Sequence, residues 1–298
     1  MDASAEMYER WAAAYKKYDR NNRASGRTSG AQKFSKHTIC MKTKTLLSKQ
    51  AQLVTPYQWE SIPVKNSLRF DTNTLPFPPP SINRFLSDMK QSCPINEYAD
   101  PAYTRLKKLL SDYENVPTSM ITITNSGDEA IDILAKAFLN PGDYFVTTPP
   151  TYEMFSIQCS INNGKALEIP LEQGFEVNAR AIIRAAQRPK TKIVFLGNPN
   201  NPTGSTIPLE TIEKIAKQSD CVVIMDQAYG EFYGKTAIPL VKKYKNLVIL
   251  KSLSKFAGLA GARIGYLIAD ESLSRIFDAI RFPMGVSYLS YKLAETVL

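Results

Sequence analysis

Short apolar runs alternate with segments of helical periodicity from residue 60 to the end of the chain. The apolar runs predict strands at 120–124, 144–147, 166–169, 193–196, 221–225, 246–250 and 263–269. Apolar side chains spaced to share one face predict helices at 101–113, 128–138, 152–161, 209–218, 272–281 and 287–297. Strands alternating with helices indicate an α/β fold with a mainly parallel sheet. Functional residues are then expected in loops at the carboxyl ends of the strands.

The positive charge of the chain is concentrated near its N-terminus. The 298 residues carry a net charge of +9, but residues 20–59 hold eight Lys or Arg and no acidic side chain. Residues 1–19 have a net charge of −1, which leaves only +2 for residues 60–298. A nearly neutral globular body does not indicate nucleic-acid binding.

The N-terminal 60 residues are expected to form an extension outside the globular body. Met7, Tyr8, Trp11 and Tyr15 are spaced to share one face of a short helix within residues 1–20. Residues 20–50 are rich in Ser, Thr, Lys and Arg and lack acidic side chains, which predicts disorder. The chain shows no apolar stretch of membrane-spanning length and no signal-peptide pattern, so we expect a cytoplasmic protein that does not bind a membrane.

Cysteine and histidine usage excludes several kinds of mechanism. The four cysteines (Cys40, Cys93, Cys159 and Cys221) lie far apart without metal-ligand spacing, which is typical of a reducing compartment. The single histidine, His37, lies in the basic extension. The body therefore has no histidine for a metal site or a Ser-His-Asp triad, and proton transfer must use a lysine, a carboxylate or a tyrosine.

A lysine flanked by hydroxyl groups is the strongest chemical signal in the chain. Ser252-Leu-Ser-Lys255 follows an apolar strand and precedes a Gly/Ala-rich turn that leads to Arg263. A lysine in this setting can form a Schiff base with an aldehyde cofactor, while the serines and the arginine hold a phosphate. The segment alone would also suit a surface lysine in a loop.

Three further motifs follow predicted strands. Asn125-Ser-Gly-Asp128 lies between a strand and a helix, where helical N–H groups can bind a phosphate, although a plain N-cap with Asp128 in the first turn of the helix fits about equally well. The rigid loop from Gly197 to Gly204 can hold Asn201 as a hydrogen-bond donor. Asp226 ends an apolar strand, and a carboxylate there needs a cation such as a protonated pyridine nitrogen, unless it only closes a turn.

In order and spacing, these motifs resemble the fold-type I pyridoxal-phosphate enzymes, closest to the histidinol-phosphate aminotransferase branch of the class I/II aminotransferases. The segments that carry the resemblance are FDTNTLPFPPP, EYADPAYTRLKKLL, NSGDEAI, PPTYEMF, NPNNPTG, DQAYGEF and SLSKFAGLAGARIGY. The resemblance covers roughly residues 68–298. It implies a mainly parallel sheet of the seven-stranded type sandwiched by helices, with residues 93–288 as the cofactor-binding large domain. Residues 61–92 and the segment that begins at 289–298 would belong to an incomplete small domain.

The resemblance also implies a role for each motif residue. Lys255 would form the Schiff base with pyridoxal 5'-phosphate and then act as the base for the proton shift. Asp226 would pair with the pyridine nitrogen, Asn201 and Tyr229 would bond the phenolic oxygen, and Tyr152 would stack on the ring.

The cofactor phosphate would be held by a separate group of residues. These are Gly127, Asp128, Ser252, Ser254 and Arg263. Tyr98 would reach the cofactor of a neighbouring subunit, so the resemblance implies a homodimer with shared sites. Because Lys255 must be neutral to attack an aldehyde, burial and the nearby Arg263 are expected to lower its pKa.

The implied reaction is a ping-pong transfer of an amino group from an amino acid such as glutamate to a keto or aldehyde acceptor. Two departures from the family pattern leave alternatives open. The common Asn-Glu-Asn-Pro segment is Asn73-Thr-Leu-Pro76 here, and the family's substrate-binding arginine would lie beyond Leu298. We assign neither Arg275 nor Arg281 to that role. A catalytically defective cofactor-binding protein and a phosphothreonine-type decarboxylase are the two alternatives.

Overall fold

The computed structural model describes Ser48, Gln50 and residues 72–298. The helix predicted within residues 1–20 and, apart from Ser48 and Gln50, the basic segment that follows it lie outside the described residues. The predicted division of the body into a large domain and an incomplete small domain stays a prediction.

A seven-stranded sheet forms the centre of the molecule, with strand order β1-β7-β6-β5-β4-β2-β3. The strands are β1 (Ile121–Thr124), β2 (Tyr144–Thr147), β3 (Lys165–Glu168), β4 (Thr191–Gly197), β5 (Val222–Asp226), β6 (Leu247–Ser252) and β7 (Gly265–Ile268). Only β7 runs antiparallel, to both of its neighbours β1 and β6. The α/β fold with a mainly parallel sheet is therefore confirmed.

Helices lie on both faces of the sheet. They are α1 (Ile82–Gln91), α2 (Thr104–Glu114), α3 (Ser126–Phe138), α4 (Met154–Ile161), α5 (Ala179–Ala186), α6 (Leu209–Gln218), α7 (Gly230–Tyr233), α8 (Ile238–Val241), α9 (Glu271–Ile280) and α10 (Tyr288–Val297). Helices α1, α5, α7 and α8 were not predicted from the sequence pattern. Within the described part of the chain, no helix is long and apolar enough to cross a membrane.

The strand predicted to begin at residue 263 begins two residues later. Arg263 follows a 3-10 turn at Ala260–Ala262 and has a left-handed backbone with a φ of 54°. This conformation is incompatible with an extended strand, so the ladder starts at Gly265. The correction matters because Arg263 is consequently presented from a turn at the edge of the sheet.

Two apolar layers pack the helices onto the sheet. On one face, α2, α5, α6 and α10 cover residues such as Val223 and Ile249. On the other face, α3, α4 and α9 cover residues such as Ile224, and Phe155 stacks on Phe195 with ring centroids 4.6 Å apart. Burial of this apolar surface is the main stabilising contribution to the fold. Helix α10 also packs against α1 and α2.

Candidate active site

A cavity of about 830 Å³ opens at the edge of the sheet where the parallel strands end. Every predicted site residue except Tyr98 lines it. The topology explains this convergence, because β1, β4, β5 and β6 all point their carboxyl ends at this edge. The antiparallel β7 brings its amino end, which Arg263 precedes, to the same place. Residues 72–74, which overlap the segment that departs from the family pattern, complete the wall.

Lys255 lies in the turn after β6 with its amine directed into the cavity wall. Its Nζ donates to the carbonyl oxygen of Thr72 at 2.8 Å and lies 5.7 Å from the centre of the Tyr229 ring. Burial lowers the pKa of Lys255, and the positive charge of Arg263 lowers it further. The expected direction and both expected causes are confirmed. A depressed pKa makes the neutral, nucleophilic amine more accessible near neutral pH.

Asp226 ends β5 and is the one carboxylate in that strand. Its Oδ1 accepts a hydrogen bond from the backbone N–H of Ala228 at 2.9 Å. Burial raises the pKa of Asp226 to about 6, against a weaker lowering by that hydrogen bond. A carboxylate with such a raised pKa is poorly solvated, and a cationic group placed in the cavity beside it would restore its ionised form.

Tyr229 follows Asp226 by three residues and has an unexpected partner. Asn73 Nδ2 donates to the Tyr229 hydroxyl oxygen at 3.2 Å. Burial raises the pKa of Tyr229, so the hydroxyl keeps its proton and remains a donor toward the cavity. Asn73 belongs to the segment that departs from the family pattern, but it retains the first asparagine of that pattern.

The loop after β4 contains two asparagines, Asn200 and Asn201, in different environments. Asn200 is fully engaged: it donates to the carbonyl oxygen of Pro150 and the hydroxyl of Thr203, and accepts from the hydroxyl of Thr151. Asn201 also lines the cavity, and its side-chain amide makes no hydrogen bond within residues 72–298. Asn200 thus fixes the loop, while the amide of Asn201 is available to a ligand in the cavity. The sequence pattern identified Asn201 but missed Asn200.

The turn between β1 and α3 forms one end of the cavity, which is predicted to bind a phosphate and which we call the anion-binding end. Ser126 has a φ of 76°, which directs the chain sharply into the helix at Gly127. Gly265 lies so close that a Cβ atom there would be 2.5 Å from the carbonyl carbon of Ser126 and 2.7 Å from Gly127 N. Only glycine allows β7 to pass against this turn. The exposed first N–H groups of α3 suit a phosphate.

Two hydroxyls and a guanidinium surround the same end. The backbone N–H of Ser254 donates to Ser252 Oγ at 3.1 Å, which fixes that hydroxyl. Arg263 forms an ion pair with Asp128, and the hydroxyl of Tyr152 donates to the other oxygen of that carboxylate at 2.9 Å. The structure thus gives the Asp128 side chain a central place in the site, whereas the sequence indicated only its backbone.

Tyr98 is the predicted residue that the single chain does not bring to the site. Its side chain is 78% exposed, in the segment before α2. The two arginines left without a site role also lie elsewhere. Arg281 is buried, with its guanidinium on the carbonyl oxygens of Pro101 and Pro283, and Arg275 is exposed on α9.

Comparison with known proteins places these features in context. The family model described as "Aminotransferase class I and II" matches residues 65–298. A histidinol-phosphate aminotransferase of Caldanaerobacter subterraneus subsp. tengcongensis is 34% identical over 256 residues, covering 86% of this chain and 72% of the relative. One of Thermoanaerobacter pseudethanolicus is 34% identical over 243 residues, covering 81% of this chain and 69% of the relative.

A solved structure shows the same likeness. The histidinol-phosphate aminotransferase of Sinorhizobium meliloti, determined in complex with pyridoxal-5'-phosphate, superimposes with a TM-score of 0.70 at 26% identity. The match covers 76% of this chain and 62% of the solved chain. The chain therefore spans less than two thirds of that structure.

Proposed function

The chain belongs to the aminotransferase class I and II family, and we propose that it is a pyridoxal-phosphate-dependent aminotransferase. A single arrangement carries this proposal. The cavity combines a lysine of lowered pKa with a carboxylate of raised pKa and an anion-binding end formed by Arg263 and the start of α3. An aldehyde, a ring nitrogen and a phosphate on one ligand would satisfy all three.

The residues present fit that cofactor. Asp226 would pair with the protonated ring nitrogen, which resolves the poor solvation of its carboxylate. Asn201 and Tyr229 would donate to the phenolic oxygen, and Asn201 has no competing partner within residues 72–298. Tyr152 would cover the ring.

The phosphate would be bound at the anion-binding end of the cavity. Its ligands would be the backbone of Gly127 and Asp128, the hydroxyls of Ser252 and Ser254, and the guanidinium of Arg263. Because a phosphate brings a second negative charge beside the Asp128 carboxylate, Arg263 would then be shared between the two anions.

When bound, pyridoxal phosphate supplies an aldehyde and an electron-withdrawing ring that stabilises negative charge next to the substrate nitrogen. The chain supplies the remaining chemistry. Lys255 Nζ, whose pKa is lowered by burial and by Arg263, would be the nucleophile for the aldehyde and afterwards the base that moves the substrate proton. Asp226 would hold the ring nitrogen in its protonated form.

The substrates follow from the family and the named relatives. We propose that an amino acid such as glutamate donates the amino group, and that a keto or aldehyde compound of the histidinol-phosphate aminotransferase type accepts it. We also propose a homodimer with shared sites, in which the exposed Tyr98 of one chain reaches the cofactor of the other. A cytoplasmic location and a small domain that includes residues 61–92 and 289–298 belong to the same proposal.

An absorption spectrum tests this function directly. We expect the purified chain to develop a visible Schiff-base band with pyridoxal phosphate, and we expect glutamate to bleach that band while 2-oxoglutarate accumulates. Lys255→Ala should prevent the band and abolish transfer, because no other amine in the described part of the chain lines the cavity.

Three other results would contradict the proposal in different ways. Full transfer by Lys255→Ala would exclude Lys255 as the nucleophile. A band that persists with every amino donor tested would indicate a cofactor-binding protein without transferase activity. Release of carbon dioxide from a phosphorylated amino acid, without a keto product, would identify a decarboxylase instead.

A further inference from the structure

A buried charged cluster lies on the face of the sheet opposite the cavity. It consists of Lys251, Glu231, Glu114 and Tyr266, and we call it the Lys251 cluster. Lys251 Nζ lies 2.5 Å from Glu231 Oε1 and 3.5 Å from Glu114 Oε1, and the Tyr266 hydroxyl donates to Glu114. The side chains of Lys251, Glu114 and Glu231 are only 4%, 8% and 16% exposed.

The cluster does not line the cavity, but three of its members lie within three residues in sequence of residues that do. Alternation along β6 directs Ser252 into the cavity and its neighbour Lys251 to the other face. Glu231 follows Tyr229 by two residues. Tyr266 is the cross-strand partner of Lys251 and follows Arg263 by three residues. Three of the segments that carry site residues therefore each contribute one member of the cluster.

Stabilisation of the fold does not explain this arrangement. A buried ion pair loses hydration that its mutual attraction seldom exceeds, so apolar residues of similar size would stabilise the sheet as well. Glu231 Oε2 is buried without a hydrogen-bond partner in the described structure, which adds a further cost. Glu114 ends α2, where the helix dipole disfavours a negative charge.

Directional contacts fix the relative positions of the elements that they join more closely than apolar packing would. The Lys251–Glu231 bond joins the end of β6 directly to α7. It therefore connects the segment that carries Ser252 and Lys255 to the segment that carries Asp226 and Tyr229. Gly230 lies against the same ammonium group, since a Cβ atom there would be 3.5 Å from Lys251 Nζ. On the α2 side, Tyr113 stacks on Phe256, the residue after Lys255, with ring centroids 5.8 Å apart.

We propose that Lys251 is a positioning residue which, through Glu231, sets the distance between the Asp226–Tyr229 segment and the Ser252–Lys255 segment. The first segment would hold the ring nitrogen and the phenolic oxygen of the cofactor, and the second its aldehyde carbon and phosphate, so the inference rests on the proposed function. The positive charge of Lys251 also lowers the pKa of Asp226, which favours the ionised carboxylate that a ring nitrogen requires.

The test compares a neutral replacement of the pair with a conservative one. Lys251→Met/Glu231→Gln is made in a Glu114→Gln background, so that no buried charge is left unpaired, and Lys251→Arg keeps the charge and the donor. Lys243→Met/Glu213→Gln makes the same change at a surface pair, in which the Lys243 side chain is 63% exposed. For each protein we would measure the apoprotein melting temperature, the dissociation constant of pyridoxal phosphate by fluorescence quenching, and the absorption maximum of the bound cofactor.

We expect the buried double variant to melt near the original temperature, yet to bind pyridoxal phosphate about tenfold or more weakly, with a shifted absorption maximum. Lys251→Arg and the surface control should bind within about threefold of the original protein. If the buried double variant does not fold, Glu231→Gln decides by the same criterion, since Lys251 then retains Glu114.

Wild-type affinity in the buried double variant, or in Glu231→Gln where that variant decides, would overturn the inference. So would an affinity loss that follows the melting temperature through every variant, because that result indicates a purely structural cluster. Failure of the unmodified chain to bind pyridoxal phosphate would be a different outcome. It would reject the proposed function, and the inference with it.

Discussion

Gly265 offers a sharp test of the anion-binding end, because the structure states what a side chain there would meet. A Cβ atom at Gly265 would lie 2.5 Å from Ser126 C and 2.7 Å from Gly127 N, about 1 Å inside ordinary contact. The atoms it meets belong to the backbone and cannot turn aside. Gly265→Ala must therefore move either β7 or the turn that begins α3.

The position of Gly265 in the sheet decides what such a movement disturbs. Gly265 pairs with Thr124 of β1 on one side and with Ser252 of β6 on the other. Both neighbours lead directly into proposed phosphate ligands. Overpacking of this kind costs about 1–3 kcal/mol. We expect a comparable loss in phosphate binding, so the affinity for pyridoxal phosphate should fall by about 5- to 160-fold.

Urea unfolding of the apoprotein and titration with pyridoxal phosphate measure the two effects separately. Gly261→Ala is the matched control, because a Cβ atom at Gly261 would meet nothing within 4 Å and its backbone is not left-handed. That variant should keep both properties. If Gly265→Ala binds the cofactor with unchanged affinity and stability, the close approach of β7 to the turn is not part of the site.

Three other predictions follow from the same geometry. Asp226→Asn should stabilise the apoprotein by up to about 3 kcal/mol at pH 7 but not at pH 4. Because the pKa of Asp226 is raised to about 6, the stability of the native state falls as pH rises from about 4 to 6. Urea midpoints at both pH values measure this, and an equal effect at the two values would refute it. Asn200→Ala should lower the unfolding free energy by about 2–4 kcal/mol, because three polar partners lose their hydrogen bonds. Asn201→Ala should weaken only cofactor binding. Equal melting temperatures for the two variants would contradict this difference in role. Mixed Lys255→Ala and Tyr98→Ala chains should recover about a quarter of the original activity if sites are shared, because half of the dimers are mixed and half of their sites are intact; no recovery after subunit exchange would argue against shared sites.

The sheet and most helices were predictable because their signals are local. Apolar runs such as Val222–Asp226 and periodic segments such as Leu209–Gln218 specify their own secondary structure. Helices α1 and α5 were not predicted although each is amphipathic, because they have only ten and eight residues and few apolar side chains mark the buried face of each. For Arg263, the sequence predicted the role of the side chain but not the backbone conformation. Its left-handed backbone depends on the turn that precedes it.

The candidate site was predictable where one motif carries one role, and unpredictable where a role depends on contacts between motifs. Asn201 and Lys255 stand in segments whose composition already indicates a rigid loop or a phosphate-binding turn. Asp128 does not, because its carboxylate becomes important only when α3 brings it between Arg263 and Tyr152.

Lys251 extends this argument to the opposite face of the sheet. In the sequence it directly follows the strand predicted at 246–250, and a charge at the end of an apolar run normally indicates that the chain has reached the surface. Only the pairing of β6 with β7 and the closeness of α2 and α7 place two carboxylates and a tyrosine around it. A charge that interrupts a buried strand beside a catalytic motif is therefore a reason to look for a partner in the next motif. In this chain that partner, Glu231, lies in the segment that also carries Asp226 and Tyr229.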